Sequence, residues 1–199
     1  MKTKDALVQE SLALRARYDE EPSHSNHVCE LALQIYDGLA SWHKLDARSR
    51  ELLHSAALLH DIGWSQTPDG KNHHKWSARL IQEYAWKNLA PEEVTLVAQI
   101  ARYHRKSPPQ PDHDDFQALK PGAQKTVMII GGILRIADAL DRTHTGKITR
   151  LEASSTKDTI LVRVRPVGTW NAERVMFEMK ADMLQTAAQR QVVCEELKI

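Results

Sequence analysis

Up to about residue 145 apolar residues return at helical spacing, and beyond it the period shortens. A first amphipathic stretch, 4–19, runs to Glu21-Pro22-Ser23, where Ser23 is expected to cap the next helix. Over 24–43 the residues Val28, Leu31, Ala32, Ile35 and Leu39 recur on one face. Asp46 is expected to cap a helix through Leu52, Leu53, Ala56, Ala57 and Leu59 that stops near Gly63. After the turn signal Pro68-Asp69-Gly70, Asn72 is expected to cap a helix with the stripe Trp76, Leu80 and Tyr84. Pro91 suits the first turn of a helix carrying Val94, Val97, Ala98 and Ala101, and the prolines 108, 109 and 111 open a loop to about Gly122.

The stretch 124–142, with Val127, Ile130, Leu134 and Ile136, is apolar on too many sides for a surface helix and is expected at the centre. Gly131-Gly132 inside it would cost about 1 kcal/mol each relative to alanine, so close packing against a neighbouring helix is the expected compensation. After 146, Ile160, Val162 and Val164 alternate with Leu161, Arg163 and Arg165, which predicts a strand with 147–154 as its partner. Residues 171–187 read as helix and Val192-Val193-Cys194 as a third strand. The predicted fold is mainly α: a helical bundle over 1–145, then a small α+β subdomain over 146–199.

Composition narrows the function classes. The chain has 199 residues, with Lys+Arg 27 against Asp+Glu 26 and a formal net charge of +1. That is one domain, or one with a small appendage, and it lacks the basic excess of a nucleic-acid or membrane-surface protein. Two cysteines, Cys29 and Cys194, make neither a disulfide framework nor a cysteine zinc site. The start Met1-Lys2-Thr3-Lys4-Asp5 has no apolar signal core, and no apolar run nears the ~20 residues of a membrane span, so a cytoplasmic protein is expected. Homodimerisation is compatible with this class. His43, His54 and His113 fall where exposure is expected, and Trp42, Trp64, Trp86 and Trp170 read as core or interface anchors rather than a base-stacking platform.

The remaining histidines carry the chemistry. His24 opens the stripe of Val28, Leu31 and Ile35; His60 closes that of Leu53 and Ala56, with Asp61 beside it. His73 precedes Trp76 and Leu80, His104 follows Val97 and Ala101, and Asp138 lies four after Leu134 in the most apolar helix. A buried unpaired carboxylate costs several kcal/mol, so Asp138 requires a partner, Arg135 or Arg142 if not a cation. Imidazole with carboxylate suits Zn, Fe or Mn, whereas Mg favours carboxylate and water. A helix C-terminus at His60-Asp61 also favours a cation. Adjacent side chains diverge by about 100° on a helix, so either the final turn tightens or Asp61 bridges to a second ion.

The strings His24-Ser25-Asn26-His27-Val28, Ala56-Ala57-Leu58-Leu59-His60-Asp61-Ile62-Gly63 and Arg135-Ile136-Ala137-Asp138-Ala139-Leu140-Asp141 follow in this order. In them the chain resembles the histidine–aspartate (HD) metal-dependent phosphohydrolase superfamily. His73-His74-Lys75, Ile100-Ala101-Arg102-Tyr103-His104-Arg105-Lys106 and Ala139-Leu140-Asp141-Arg142-Thr143-His144 bring a closer resemblance, to the C-terminal domain of exopolyphosphatase/guanosine pentaphosphate phosphatase proteins. This closer resemblance also covers the α+β tail, and so nearly the whole chain.

The resemblance implies an HD-type bundle with His24, His60, Asp61 and Asp138 as core metal ligands and His73 and His104 as ligands of a second ion. His27 rivals His24 or supports it from behind; His74 rivals His73, and Asp141 rivals Asp138. One or two divalent ions (Mn, Fe, Zn or Mg) are implied, bridged by Asp61 when there are two, with His60 and Asp61 at the reacting centre and a metal-held hydroxide attacking phosphorus. Arg105 and Lys106 are candidates for holding a substrate phosphate. The implied activity is hydrolysis of a phosphate ester or anhydride, a nucleotide among the candidates; the alternative is a non-catalytic module binding polyphosphate or guanosine polyphosphates, or serving dimerisation. The partner is a phosphorylated small molecule or polyphosphate, with no nucleic acid or membrane expected. Two departures stand out: Trp76 occupies a position where relatives often carry histidine, and the actin-like ATPase-type portion of full-length relatives has no room within 199 residues.

Overall fold

The computed structural model describes residues 4–19 and 22–197. Four long helices form the frame: α2 (Pro22–Gly38), α4 (Ala47–Leu59), α6 (Pro91–Arg102) and α8 (Pro121–Ala139). They pack in a ring, α2 on α4, α4 on α6, α6 on α8 and α8 back on α2. Their facing side chains, Leu31, Ile35, Leu53, Val97, Ile130 and Leu134 among them, are buried. Around the ring, α1 (Lys4–Arg15) covers α4, and α5 (His73–Glu83) lies on α6 and on the 3-10 helix Ile62–Gln66. Short helices α3 (Ala40–His43) and α7 (Asp114–Gln117) sit in connections. Among the described residues no helix is long and apolar enough to cross a membrane.

The mainly α bundle is followed, as expected, by a small α+β unit. Strands β1 (Ile148–Ser155) and β2 (Thr159–Pro166) pair antiparallel, and β3 (Gln191–Glu196) adds in parallel to β2. Ile160, Val162 and Val164 point inward, and the sheet leans on α2 through β1. The stretch 171–187 is two helices, α9 (Asn171–Lys180) and α10 (Asp182–Ala188), separated at Ala181. Both dock on α8.

Several local expectations shift. Ser23 lies inside α2, which already contains Pro22, so it is not the cap. The 24–43 helix breaks at Leu39, and α8 starts earlier and ends earlier than 124–142. Asp46 does cap α4, accepting from the Ser49 amide at 2.8 Å. Asn72 stands at the start of α5 in the left-handed region, φ 61°, and its side chain caps nothing. The buried face of α5 is His73, His74, Ser77, Ala78 and Ile81, with Trp76, Leu80 and Tyr84 only half-buried beside it. That offset follows from Gly63, whose amide donates to Ser77 Oγ at 2.9 Å: only small residues let the 3-10 helix approach this closely. His43 is buried between the Tyr36 carbonyl and the Leu45 amide, each 2.9 Å away, His54 is half-buried in α4, and His113 is half-buried against the Tyr103 hydroxyl, correcting their expected exposure.

The Gly131-Gly132 pair is the close approach expected of it, and its neighbour is α10. A Cβ on Gly131 would stand 2.9 Å from Met183 Cε, and one on Gly132 2.9 Å from the Leu184 amide nitrogen. Main chain cannot yield as a side-chain tip can, so Gly132→Ala is expected to destabilise by about 1–3 kcal/mol in urea denaturation. Gly122→Ala, in the same helix with open space around it, should instead stabilise by up to about 1 kcal/mol.

Candidate metal centre

The bundle delivers its polar side chains to one end. His24 comes from the first turn of α2, and His60 and His104 come from just past α4 and α6. Asp138 comes from the last turn of α8, and His73 is the first residue of α5. Asp61, between α4 and the 3-10 helix at φ −109° and ψ 3°, leaves helical geometry and turns into the centre. Three helix C-termini, those of α4, α6 and α8, point here with the negative ends of their dipoles.

Each histidine is fixed from behind. Nδ1 of His60 faces the Ala57 carbonyl at 2.7 Å, that of His73 the Gly70 carbonyl at 2.8 Å, and that of His104 the Ala101 carbonyl at 2.7 Å. A carbonyl only accepts, so these three rings carry their proton on Nδ1 and present the Nε2 lone pair. His24 Nδ1 instead faces Asp141 Oδ2 at 2.8 Å.

The Nε2 atoms converge in two groups that share Asp61. His24 Nε2 stands 3.4 Å from Asp138 Oδ1, and His60 Nε2 3.8 Å from it; Asp61 Oδ2 is 3.7 Å and 3.6 Å from the same two rings. Asp61 Oδ1 turns the other way, 3.2 Å from His73 Nε2 and 3.3 Å from His104 Nε2. His24 Nε2, His60 Nε2 and Asp61 Oδ1 are buried without a hydrogen-bond partner. The Nε2 atoms of His73 and His104 lie 3.2 Å apart, two lone pairs facing each other. Donors at this spacing, with their outer nitrogens already engaged, fit a divalent ion about 2 Å from each. His24, His60 and Asp138 form one candidate set, and Asp61, His73 and His104 the other.

The ionisation states follow. Burial works against charge on His24, but Asp138 and Asp141 outweigh it and hold the ring's pKa up, to about 10. Burial pushes His60 down to about 4. Burial likewise works against ionising Asp61, yet His60, His104 and His73 hold it well below the usual carboxylate range. Against the same burial, His24 and the neighbouring imidazoles bring Asp138 to about 2. A proton therefore sits on His24 where a cation is absent, and two carboxylates stay ionised.

A cleft of about 350 Å³ opens on the centre, with Arg105, Lys106, Arg142 and Lys180 among its walls. Arg105 Nη1 lies 3.2 Å from His73 Nδ1 and 3.4 Å from its Nε2. Lys180, from the end of α9, is pushed down to about 8, first by burial and then by Arg135. The cleft is therefore cationic, as a phosphate-binding wall would be.

Residues 9–185 match the model of the family described as Ppx/GppA phosphatase, domain III. The chain belongs to that family. The Ppx/GppA kinship read in the histidine-bearing strings is thus shown over most of the sequence.

All six expected ligands meet in this Ppx/GppA domain, and the rivals stand elsewhere. His27 Nε2 faces the Ile148 carbonyl at 2.9 Å, and His74 lies in neither donor group. Asp141 backs His24 rather than joining the centre, and its remaining oxygen accepts from the Gly146 amide at 2.9 Å. Among the described residues no arginine pairs with Asp138: Arg135 is paired with Asp182 at 2.9 Å. Arg105 lines the cleft; Lys106 does too, exposed and in the left-handed region at φ 62°.

Trp64 and His144 escaped sequence reasoning. Trp64 is 45% exposed, not core, and stacks on His73 with centroids 4.5 Å apart. His144 lies flat on His24, 3.7 Å and 2° from parallel. The signal for His144 was its spacing of three from Asp141 in a tight turn; that for Trp64 was its place directly after Gly63.

The Asp141–His24 pair sets a pH dependence. A histidine whose folded pKa is raised from 6.5 to about 10 contributes stability that is full below 6.5 and lost as pH rises through the folded value. Asp141→Asn in chelator-treated protein should therefore cost most stability at about pH 5–6 and progressively less towards pH 10, read from urea midpoints. Nitrogen-15 shifts should show the His24 titration moving down in the variant.

Proposed function

We propose that this chain is a divalent-metal phosphohydrolase of the histidine–aspartate type, acting on a phosphate ester or anhydride. One ion would be held by His24, His60, Asp61 and Asp138, the other by Asp61, His73 and His104. The observation that carries this reading is the convergence of four outward-tethered imidazoles on Asp61, whose two oxygens face different donor groups. The histidine-rich set favours Mn, Fe or Zn over Mg. Bound ions of this kind supply charge neutralisation at phosphoryl oxygens and a water acidified towards neutral pH.

The protein's own groups do the rest. The carbonyl tethers hold each imidazole in its donor tautomer, so no proton need be displaced from His60, His73 or His104. His24 would release its Nε2 proton to solvent when a cation arrives, keeping the Nδ1 proton that it donates to Asp141. Arg105 and Lys106 would hold the non-reacting phosphate oxygens, with Arg142 and Lys180 on the same wall. The substrate reading covers phosphorylated small molecules, nucleotides among them, and polyphosphate. We assign the ligands to a bundle unit, 1–145, and treat 146–199 as the small unit whose α9 walls the cleft. A second reading, a non-catalytic module binding polyphosphate or guanosine polyphosphate, is favoured by the family's description as one domain of a phosphatase.

Protein loaded anaerobically with Fe(II) or Mn(II) should carry about two ions per chain by elemental analysis. Removing partners behind a ligand costs about 10–100-fold, so loss of the shared ligand in Asp61→Ala should lower phosphate-ester turnover by more than about 100-fold while circular dichroism is unchanged. Undiminished turnover in that variant removes the catalytic reading. Metal loading without turnover of any ester moves the conclusion to the binding module.

A further inference from the structure

The candidate centre opens on two sides, and the two openings differ in charge. The first is the cationic cleft. The second, about 460 Å³, has Tyr18, Asp19, Ser25 and Ser65 as walls, with His24 and Asp61 at its floor. Trp64 and His144 border both. Among the described residues lining the second cleft there is no lysine or arginine, and the Asp19 carboxylate there is already engaged, its Oδ2 accepting from Ser25 Oγ at 2.9 Å. Arg15 stands behind Ser25, its guanidinium engaged by Ser25 Oγ at 3.1 Å and Asn26 Oδ1 at 2.6 Å. What this cleft offers is ring faces, from Tyr18, Trp64 and His144; the hydroxyls of Ser25 and Ser65 already donate within the protein, to Asp19 Oδ2 and to the Ile62 carbonyl, each at 2.9 Å. Two of those rings are held in place by stacking on His73 and His24.

We infer that the substrate is a phosphate ester of an uncharged, ring-bearing alcohol, its phosphoryl group in the cationic cleft and its organic group in the second. This rests on the phosphohydrolase reading and narrows it. An inorganic chain of phosphates reaching past Asp61 would carry its charge along walls that hold no lysine or arginine among the described residues. A flat neutral ring meets aromatic faces there instead. Hydrolysis breaks the bond from phosphorus to the ester oxygen and forms one from phosphorus to the oxygen of water. One proton of that water ends on the released alcohol and the other stays with phosphate, so the second cleft holds an uncharged group before and after the reaction.

The test needs no turnover. Adenosine, 4-nitrobenzyl alcohol and inorganic phosphate are each titrated onto the full chain by calorimetry, in the wild type and in two exposed-site variants with metal content checked. Ser65→Arg puts bulk and charge into the second cleft alone, and Arg142→Ala removes a cation from the first alone. The expected result is a loss of about tenfold or more in ring-probe affinity for Ser65→Arg with phosphate binding kept, and the reverse pattern for Arg142→Ala. Preference for adenosine identifies a nucleoside as the alcohol, and preference for 4-nitrobenzyl alcohol a simple aryl group. Failure of both ring probes to bind at about 10 mM, or equal sensitivity of all probes to both variants, overturns the inference. Hydrolysis of inorganic tripolyphosphate without ring binding would overturn it while leaving the phosphohydrolase reading intact. Charge-sorted binding without turnover of any ester does the opposite.

Discussion

The centre depends on what lies behind its histidines. Four imidazoles packed into a dry site would ordinarily choose tautomers that satisfy one another, each donating to the next. Here the outer nitrogens are engaged by carbonyls and by Asp141, so that choice is removed. The inner lone pairs of His60, His73 and His104 are left facing one another and two carboxylates, with a proton on His24 among them, an arrangement that is costly when empty and that a cation relieves. The helix ends contribute in the same sense, because last-turn carbonyls of α4 and α6, those of Ala57 and Ala101, are the acceptors used for His60 and His104.

The ring of α2, α4, α6 and α8 supplies the rigidity this requires. Ligands on α2, α5 and α8 and just past α4 and α6 must hold separations of 3.2–3.8 Å. Gly63 and Gly132 show how the spacing is set: absent side chains let α5 and α10 come to contact distance, and so fix His73 beside Asp61 and α8 against the tail.

Much of this was legible in the chain because the ligands occupy core-facing positions. His24, His60, His104 and Asp138 sit in register with Val28, Leu53, Val97 and Leu134, so one period reports both packing and chemistry. His73 was found less securely, since the stripe it was read with, Trp76 to Tyr84, is not the buried one; small residues, Ser77 and Ala78, carry the true face and leave no hydropathy signal. Trp64 and His144 were missed for a different reason. Their roles come from stacking on ligands of other elements, His73 and His24, and periodicity does not distinguish a ring that covers a ligand from one that fills a core. The same holds for Lys180, which reaches the cleft only because α9 folds back over α8.

The tethers of the four histidines are not equal in origin. Those of His60, His73 and His104 run to the residue three positions earlier, so each ring is aimed as soon as its own turn of chain is formed. His24 is aimed by Asp141, 117 residues away. A chain in which α8 has not yet docked on α2 therefore has three donors pointing correctly and one swinging free. The orientation of a single imidazole thus reports completion of the bundle, and an ion that requires His24 recognises only chains whose assembly is finished.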